Sequence, residues 1–167
     1  MTTVSLFCGS ALPALTHGND SASPCRQIQE TYVKRYAAYS RRDASGYLAL
    51  FAPDYVWTDH MGKRNTFAVL RKEITSGFSR PLKYSRTPYQ VEYKIARCSV
   101  TGDAATVNAR VVMECAIYRP HSPQVDHYYY AAFMSKDVWQ RGANGWVLKR
   151  RKALSEQHGW PKHKPSL

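Results

Sequence analysis

The chain is short of acid. Its 167 residues carry 12 Asp and Glu against 24 Lys and Arg, a formal charge of +12. A surplus of this size favours anionic partners through its long-range field. It forms one dense run, Lys149-Arg150-Arg151-Lys152, with Lys162 and Lys164 near the C-terminus, and is otherwise spread out, so most of it reads as solvated surface. No recognised nucleic-acid-binding motif accompanies it, so nucleic acid is not an expected partner. Long apolar runs are also missing. Nothing reaches the ~18 to 20 residues that a membrane-crossing helix needs, so no membrane partner is expected. Val4 to Leu15 is moderately apolar but has no basic residues ahead of it and contains Pro13. It makes a poor signal peptide, and a cytoplasmic location is slightly favoured over secretion.

Cysteines are few and badly spaced for metal. Cys8, Cys25, Cys98 and Cys115 include no CxxC pair, and no His, Cys, Asp or Glu cluster has ligand spacing, so neither a metal nor another cofactor is expected. All four read as free or buried thiols. A bridge between Cys98 and Cys115 is doubtful, because reflection about the intervening turn sets Cys98 opposite about Val107. Internal repeats and strand–helix alternation are absent, which excludes a solenoid and a doubly wound sheet.

What is present is a globular composition, 44% hydrophobic, with 12 Tyr among 13% aromatic residues. Such a content suits a sheet with large half-buried side chains or an aromatic-lined cavity. Residues 1–24 show no period and read as a flexible leader, with Pro24 just ahead of a helix. In Cys25 to Ser40, the residues Ile28, Tyr32, Tyr36 and Tyr39 recur at helical spacing and mark one face. Asp43 is an N-cap for a short helix over Ala44 to Phe51, stopped by Pro53-Asp54. Tyr55 to Asp59 is a short strand, and His60 to Lys63 turns away from it. A third helix begins at Asn65 or Thr66, with Phe67, Leu70, Ile74 and Phe78 on one side.

From Tyr84 onward the period becomes two. The alternation of Tyr89, Val91, Tyr93 and Ile95 slips near Arg97, where a bulge would curve the sheet. After the turn Thr101-Gly102-Asp103, a return strand sets Val107, Ala109, Val111, Met113, Cys115 and Ile117 on one face. His127 to Gln140 and Trp146 to Leu154 are two further strands, joined through Asn144-Gly145, a hairpin signal. Three helices followed by a curved antiparallel sheet make an α+β cone with a cavity. The compact domain is expected over residues 25–155, followed by a basic tail over 156–167.

Two segments carry a family resemblance. The run from Arg42-Asp43 through Tyr47-Leu48-Ala49-Leu50-Phe51-Ala52-Pro53-Asp54 to Asp59-His60-Met61-Gly62 resembles the opening of nuclear transport factor 2-like, SnoaL-like proteins. Lys136-Asp137-Val138-Trp139 with Asn144-Gly145-Trp146-Val147-Leu148-Lys149 resembles their last hairpin. The resemblance covers roughly residues 25–155 and implies a cone-shaped, cystatin-like fold, three N-terminal helices on a curved antiparallel sheet. The superfamily includes ketosteroid isomerase, polyketide cyclases and dehydratases, and also non-catalytic binding and dimerisation modules. It implies Asp59 as a general base and Asp137 as a protonated carboxyl in an oxyanion hole. The helix-one tyrosine of that pattern falls nearest Tyr36, with Tyr32 the alternative.

The resulting expectation is a cofactor-independent isomerase, dehydratase or cyclase acting on a small polar or anionic molecule, and its alternative is a non-catalytic binding module. A homodimer formed through the outer sheet face, with Val112 and Ala116, is the expected assembly. Asp137 shares strand parity with His127, Tyr129, Phe133 and Trp139, so that face is expected to line the pocket together with Tyr32 and Trp57. His60 and His127 are the histidines well placed for acid–base work, a task to which the imidazole side chain is suited in general. Arg150 and Lys152 fall where ketosteroid isomerase has apolar pocket residues. Pointing inward they would make the pocket cationic, with Arg150 pairing Asp137. A register slip of one would instead leave them in solvent.

Overall fold

The computed structural model describes residues 23–80, 89–119 and 121–163. Helix α1 spans Pro24–Ser40 and α2 spans Ala44–Leu48. Strand β1 is Phe51–Thr58, β2 Arg64–Thr66, and α3 Phe67–Ser79. Four long strands follow: β3 Gln90–Thr101, β4 Ala104–Tyr118, β5 Val125–Gly142 and β6 Gly145–Gly159. One six-stranded sheet has the order β2-β1-β6-β5-β4-β3, with helices packed on one face, the expected cone-shaped α+β architecture. The long β3–β6 meander is antiparallel, as its hairpin turns require. Strand β1 joins it in parallel beside β6, an arrangement the sequence did not suggest.

Local chemistry explains most boundaries. Ser23 caps α1 by accepting from the Arg26 N–H, and Pro24 at the first helical position lacks the N–H that would otherwise go unsatisfied. Asp43 caps α2 by accepting from the Gly46 N–H at 2.8 Å. That helix ends at Leu48 rather than Phe51, because Phe51-Ala52-Pro53-Asp54 opens β1. The proline is tolerated where the β1–β6 register is already broken, between Phe51 and Val56. The far end of α3 is closed from outside: Arg42, in the left-handed region at φ 58°, donates to the carbonyls of Gly77, Phe78 and Arg80.

The core lies between α1 and the sheet. Ile28, Tyr32 and Tyr36 pack on Val107, Ala109, Val111, Trp139 and Leu148. Burying side chains of this size contributes roughly 1.5–3 kcal/mol each. Polar ties fix the helix in place. The Tyr93 hydroxyl donates to the Gln29 carbonyl at 3.0 Å and the Trp146 indole to Gln27 Oε1 at 3.1 Å. Cys25, in the first turn of α1, is disulfide-bonded to Cys98 on β3. The reading of both as thiols is therefore corrected. Cys98 does pair with Val107 in register, and that register aims it at the helix rather than at Cys115. Cys115 is a buried thiol, and Cys8 lies outside the described residues.

Irregularities in β3 and β6 control which residues face inward. The β3 register shifts between Ile95 and Arg97, where the sequence phase predicted it. In β6, Leu148 pairs with Trp139 but Arg150 pairs with Val138, so Lys149 is an extra residue. Such a bulge reverses the facing beyond it, as far as a second extra residue, Leu154, between the partners of Met134 and Ser135, which turns Glu156 inward opposite Phe133. Trp146 and Leu148 are buried before the Lys149 bulge, and Arg151 and Ala153 after it.

Candidate functional site

A cavity of about 170 Å³ opens between the helices and the β1–β6–β5 part of the sheet. Tyr47, Phe51, Tyr55, Trp57 and Phe133 supply its aromatic wall, and Leu70 of α3 adds an aliphatic one. Its polar groups are Arg35, Ser135, Arg151 and Glu156. A cavity of about 150 Å³ is enough to hold benzene, so this one fits a molecule with a single ring.

Behind the Arg151 wall lies a closed polar network. Asp137 is fully buried, directly across the β5–β6 ladder from Arg151. Arg151 Nε donates to Asp137 Oδ1 at 2.8 Å and Nη2 to Oδ2 at 2.5 Å, a two-pronged pair. The Tyr32 hydroxyl also donates to Asp137 Oδ2, and the Trp139 indole N–H donates to the Tyr32 oxygen at 3.3 Å. Burial pushes the Asp137 carboxyl up, but the Arg151 guanidinium and these hydrogen bonds more than reverse this and hold it below the usual carboxylate range. Asp137 is thus ionised and occupied as an acceptor, which does not suit it to donate a proton. Burial, reinforced by the neighbouring carboxylate, raises the Tyr32 phenol well above its ordinary value.

Arg35 is different. It is 4% exposed and has no carboxylate in a direct ion pair with it among the described residues. Its guanidinium lies among the rings of Tyr36, Phe51, Tyr47 and Tyr32, at 4.9, 5.5, 5.9 and 6.0 Å from their centroids. Nη2 donates to the Tyr36 oxygen at 3.5 Å, a long contact, while Nε and Nη1 are buried with no partner. The Ser135 hydroxyl, on the same cavity, is likewise buried and without a hydrogen-bond partner among the described residues. Burial also pushes the Tyr55 phenol up to about 12, keeping it a neutral donor.

The expected site residues are only partly brought together. Trp57 and Phe133 line the cavity, Tyr32, Asp137 and Trp139 stand behind it, and the Tyr36 oxygen meets Arg35. Asp59 does not line the cavity. It sits in the β1–β2 turn, where Oδ1 accepts from the N–H groups of Met61 and Lys63, both at 2.9 Å. That is the turn-forming use of an Asp, and it places this carboxylate apart from Asp137. His60 is exposed and 3.6 Å from Glu156. His127 is paired with Asp126 and packs on Trp160, which also meets Tyr129. Arg150 and Lys152 are exposed on the outer face, so the inward cationic residue is Arg151, which the Lys149 bulge turns in. Arg35 was missed, although it left a signal: it stands seven residues after Ile28, on the apolar stripe of α1.

Helices set over one face of a curved sheet, with a charged and aromatic chamber between them, define the class of cone-shaped α+β folds. The family model for the SnoaL-like domain matches residues 33–140, more than half of the chain, and the protein belongs to that family. No curated protein matches it in sequence. Among solved structures it is similar to a candidate dehydratase of the NTF2-like family from Streptomyces avermitilis (15% identity, 78% of this chain and 95% of that one, TM-score 0.63). It also resembles a candidate scytalone dehydratase from Novosphingobium aromaticivorans (14%, 85% and 89%, TM-score 0.60). A third similar structure is a hexachlorocyclohexane dehydrochlorinase from Novosphingobium barchaimii (10%, 86% and 93%, TM-score 0.60). At these identities the likeness is one of fold.

Proposed function

We propose that the cavity receives a small organic anion with one ring or a comparable apolar body, its carboxylate or phenolate seated on Arg35. The observation that carries this is a guanidinium that is buried, lines the cavity and keeps two nitrogens unpartnered. Buried guanidinium nitrogens without hydrogen-bond partners are costly, and an anionic ligand that accepts from them relieves that cost. Arg151 is a second cation in the wall but is paired with Asp137, and Glu156 on the lining lies beside His60, so Arg35 is the lining charge left without an ion pair among the described residues. The aromatic wall accommodates the ligand's apolar part.

The test is calorimetric titration with benzoate and its uncharged analogue benzamide. Benzoate should bind and benzamide should bind at least tenfold more weakly. Arg35→Met should remove the difference. Equal affinity for the two in the unaltered protein would refute the reading.

A second reading, a cofactor-independent isomerase or dehydratase, draws on one further observation. The Glu156 carboxylate lines the cavity and lies 3.6 Å from His60, so a proton acceptor stands beside the ligand space. The neutral Tyr55 phenol and the Ser135 hydroxyl are donors available to a developing oxyanion. Asp59, in its turn, is not the base in this scheme. Deuterium uptake from D2O into an arylacetate, followed by NMR, should be catalysed by the protein and fall about a hundredfold in Glu156→Gln. Uptake at the buffer rate in both would leave binding alone.

A further inference from the structure

The outer face of the sheet, away from the cavity, carries a row of basic and hydrogen-bonding residues running straight across all six strands. Register pairs Arg64 with Thr58, Thr58 with Lys152, Lys152 with Lys136, Lys136 with Asn108 and Asn108 with Arg97. Paired residues share a face, and Arg64, Lys152, Lys136 and Arg97 are all exposed. Five inter-strand steps of ~4.8 Å make the row about 24 Å long. Arg150 flanks it on one side, and the directly opposed pair Lys94 and Arg110 on the other. None of these cations has an ion pair among the described residues, whereas neighbouring Lys149 is matched to Asp54 at 3.2 Å. The acids on this face, Glu92 and Glu114, lie further along β3 and β4.

Like charges set directly opposite in a sheet are destabilising. This face holds two such pairs, Lys136 with Lys152 and Lys94 with Arg110, and none of the four has an ion pair among the described residues, although Glu92 is the next same-face residue to Lys94. A two-fold dimer built on the row would set it against its own copy and double the repulsion. The face is instead complementary to a linear polyanion. Shallow depressions on both sides of Lys136 are edged by Thr58, Thr106, Ser99 and Asn108, whose hydroxyl and amide groups suit phosphate oxygens. The row itself has no aromatic side chain on which an unpaired base would stack, which favours the backbone of a duplex over single strands.

We infer that the outer sheet face binds the phosphate backbone of double-stranded nucleic acid without regard to sequence. The absence of a recognised motif did not reveal this, because the row is assembled by register from six separate segments of the chain.

The test is fluorescence anisotropy with two labelled 20-base-pair duplexes of unrelated sequence, across a KCl series. Both should bind equally, with a log–log salt slope of roughly −4 to −6 for four to seven neutralised phosphates. Lys136→Glu/Lys152→Glu should weaken binding at least tenfold and flatten the slope by about 2. Lys34→Glu/Lys72→Glu, an equal charge change on the helices, should have a much smaller effect. Equal losses in the two double variants would assign the binding to net charge and overturn the row. So would no binding at 50 mM KCl, a dimer by sedimentation that buries this face, or retention by heparin that excess duplex does not displace. Benzoate affinity should be unaffected by the outer-face variant, which separates this inference from the cavity reading.

Discussion

Tyr32 and Asp137, 105 residues apart in the chain, meet through a hydrogen bond that joins the first helix to the fifth strand behind the cavity. Arg151 completes the node from the sixth strand. Removing one member leaves the others buried and uncompensated. Asp137→Asn should therefore cost about 3–5 kcal/mol, as breaking a buried pair does. Tyr32→Phe, which removes a bond to a charged group, should cost about 1.5–3 kcal/mol. Asp137→Leu with Arg151→Met should cost clearly less than the two single losses added together. Urea unfolding measures all of these, and additive losses would show that the pair is not coupled.

The same node sets a pH dependence with two limits. The folded Asp137 carboxyl lies below its unfolded value near 3.9, so the stability it contributes is present above that value and lost as the pH falls through the depressed one. The Tyr55 phenol is raised to about 12, so its contribution is intact below the unfolded value near 10 and lost as the pH rises toward 12. Tyr32 and Tyr36 are raised as well and act in the same direction. Unfolding midpoints should form a plateau between roughly pH 5 and 9.5. In Asp137→Asn the acid limb should become shallower, and in Tyr55→Phe the alkaline limb should.

Arg35 should behave as a residue kept for a ligand rather than for stability. Arg35→Met retains much of the stem and removes a buried charge that has no direct ion pair among the described residues and two unpartnered nitrogens. The variant should be as stable as the unaltered protein or gain about 1 kcal/mol, a Tm rise of roughly 3 °C. Loss of the four ring contacts opposes this by about 0.5–2 kcal/mol in total. A Tm drop of more than about 5 °C would instead make Arg35 a structural member of the core.

The Cys25–Cys98 bridge closes a loop of 73 residues that contains α1, α2, β1, β2 and α3. Loop-closure entropy for that length corresponds to about 4 kcal/mol. Reduction with dithiothreitol, or Cys25→Ser with Cys98→Ser, should lower the unfolding midpoint accordingly. Non-reducing peptide mapping should recover the Cys25 and Cys98 peptides joined.

The architecture was legible because its signals are local. The tyrosine spacing of α1, the period-two strands and the Asn144-Gly145 turn each fix an element from its own residues. The site was less legible because its inward set depends on two unpaired residues in β6, Lys149 and Leu154. Strand parity from Trp146 predicts Arg150 and Lys152 inside, and only the Lys149 bulge brings in Arg151. The Cys25–Cys98 bridge was missed for a related reason: it joins a helix end to a strand, a relation that cysteine spacing does not encode. Asp59 matched a family spacing, yet its side chain closes the turn that its own neighbours form.

The extra residue at 149 also bears on how relatives should be compared. In a cousin whose hairpin lacks it, the chamber would receive the side chain one column earlier, and an alignment gap misplaced by a single position would equate an interior arginine with a surface one. Tallies of residue identity along this hairpin are meaningful only after the strands have been counted from the turn.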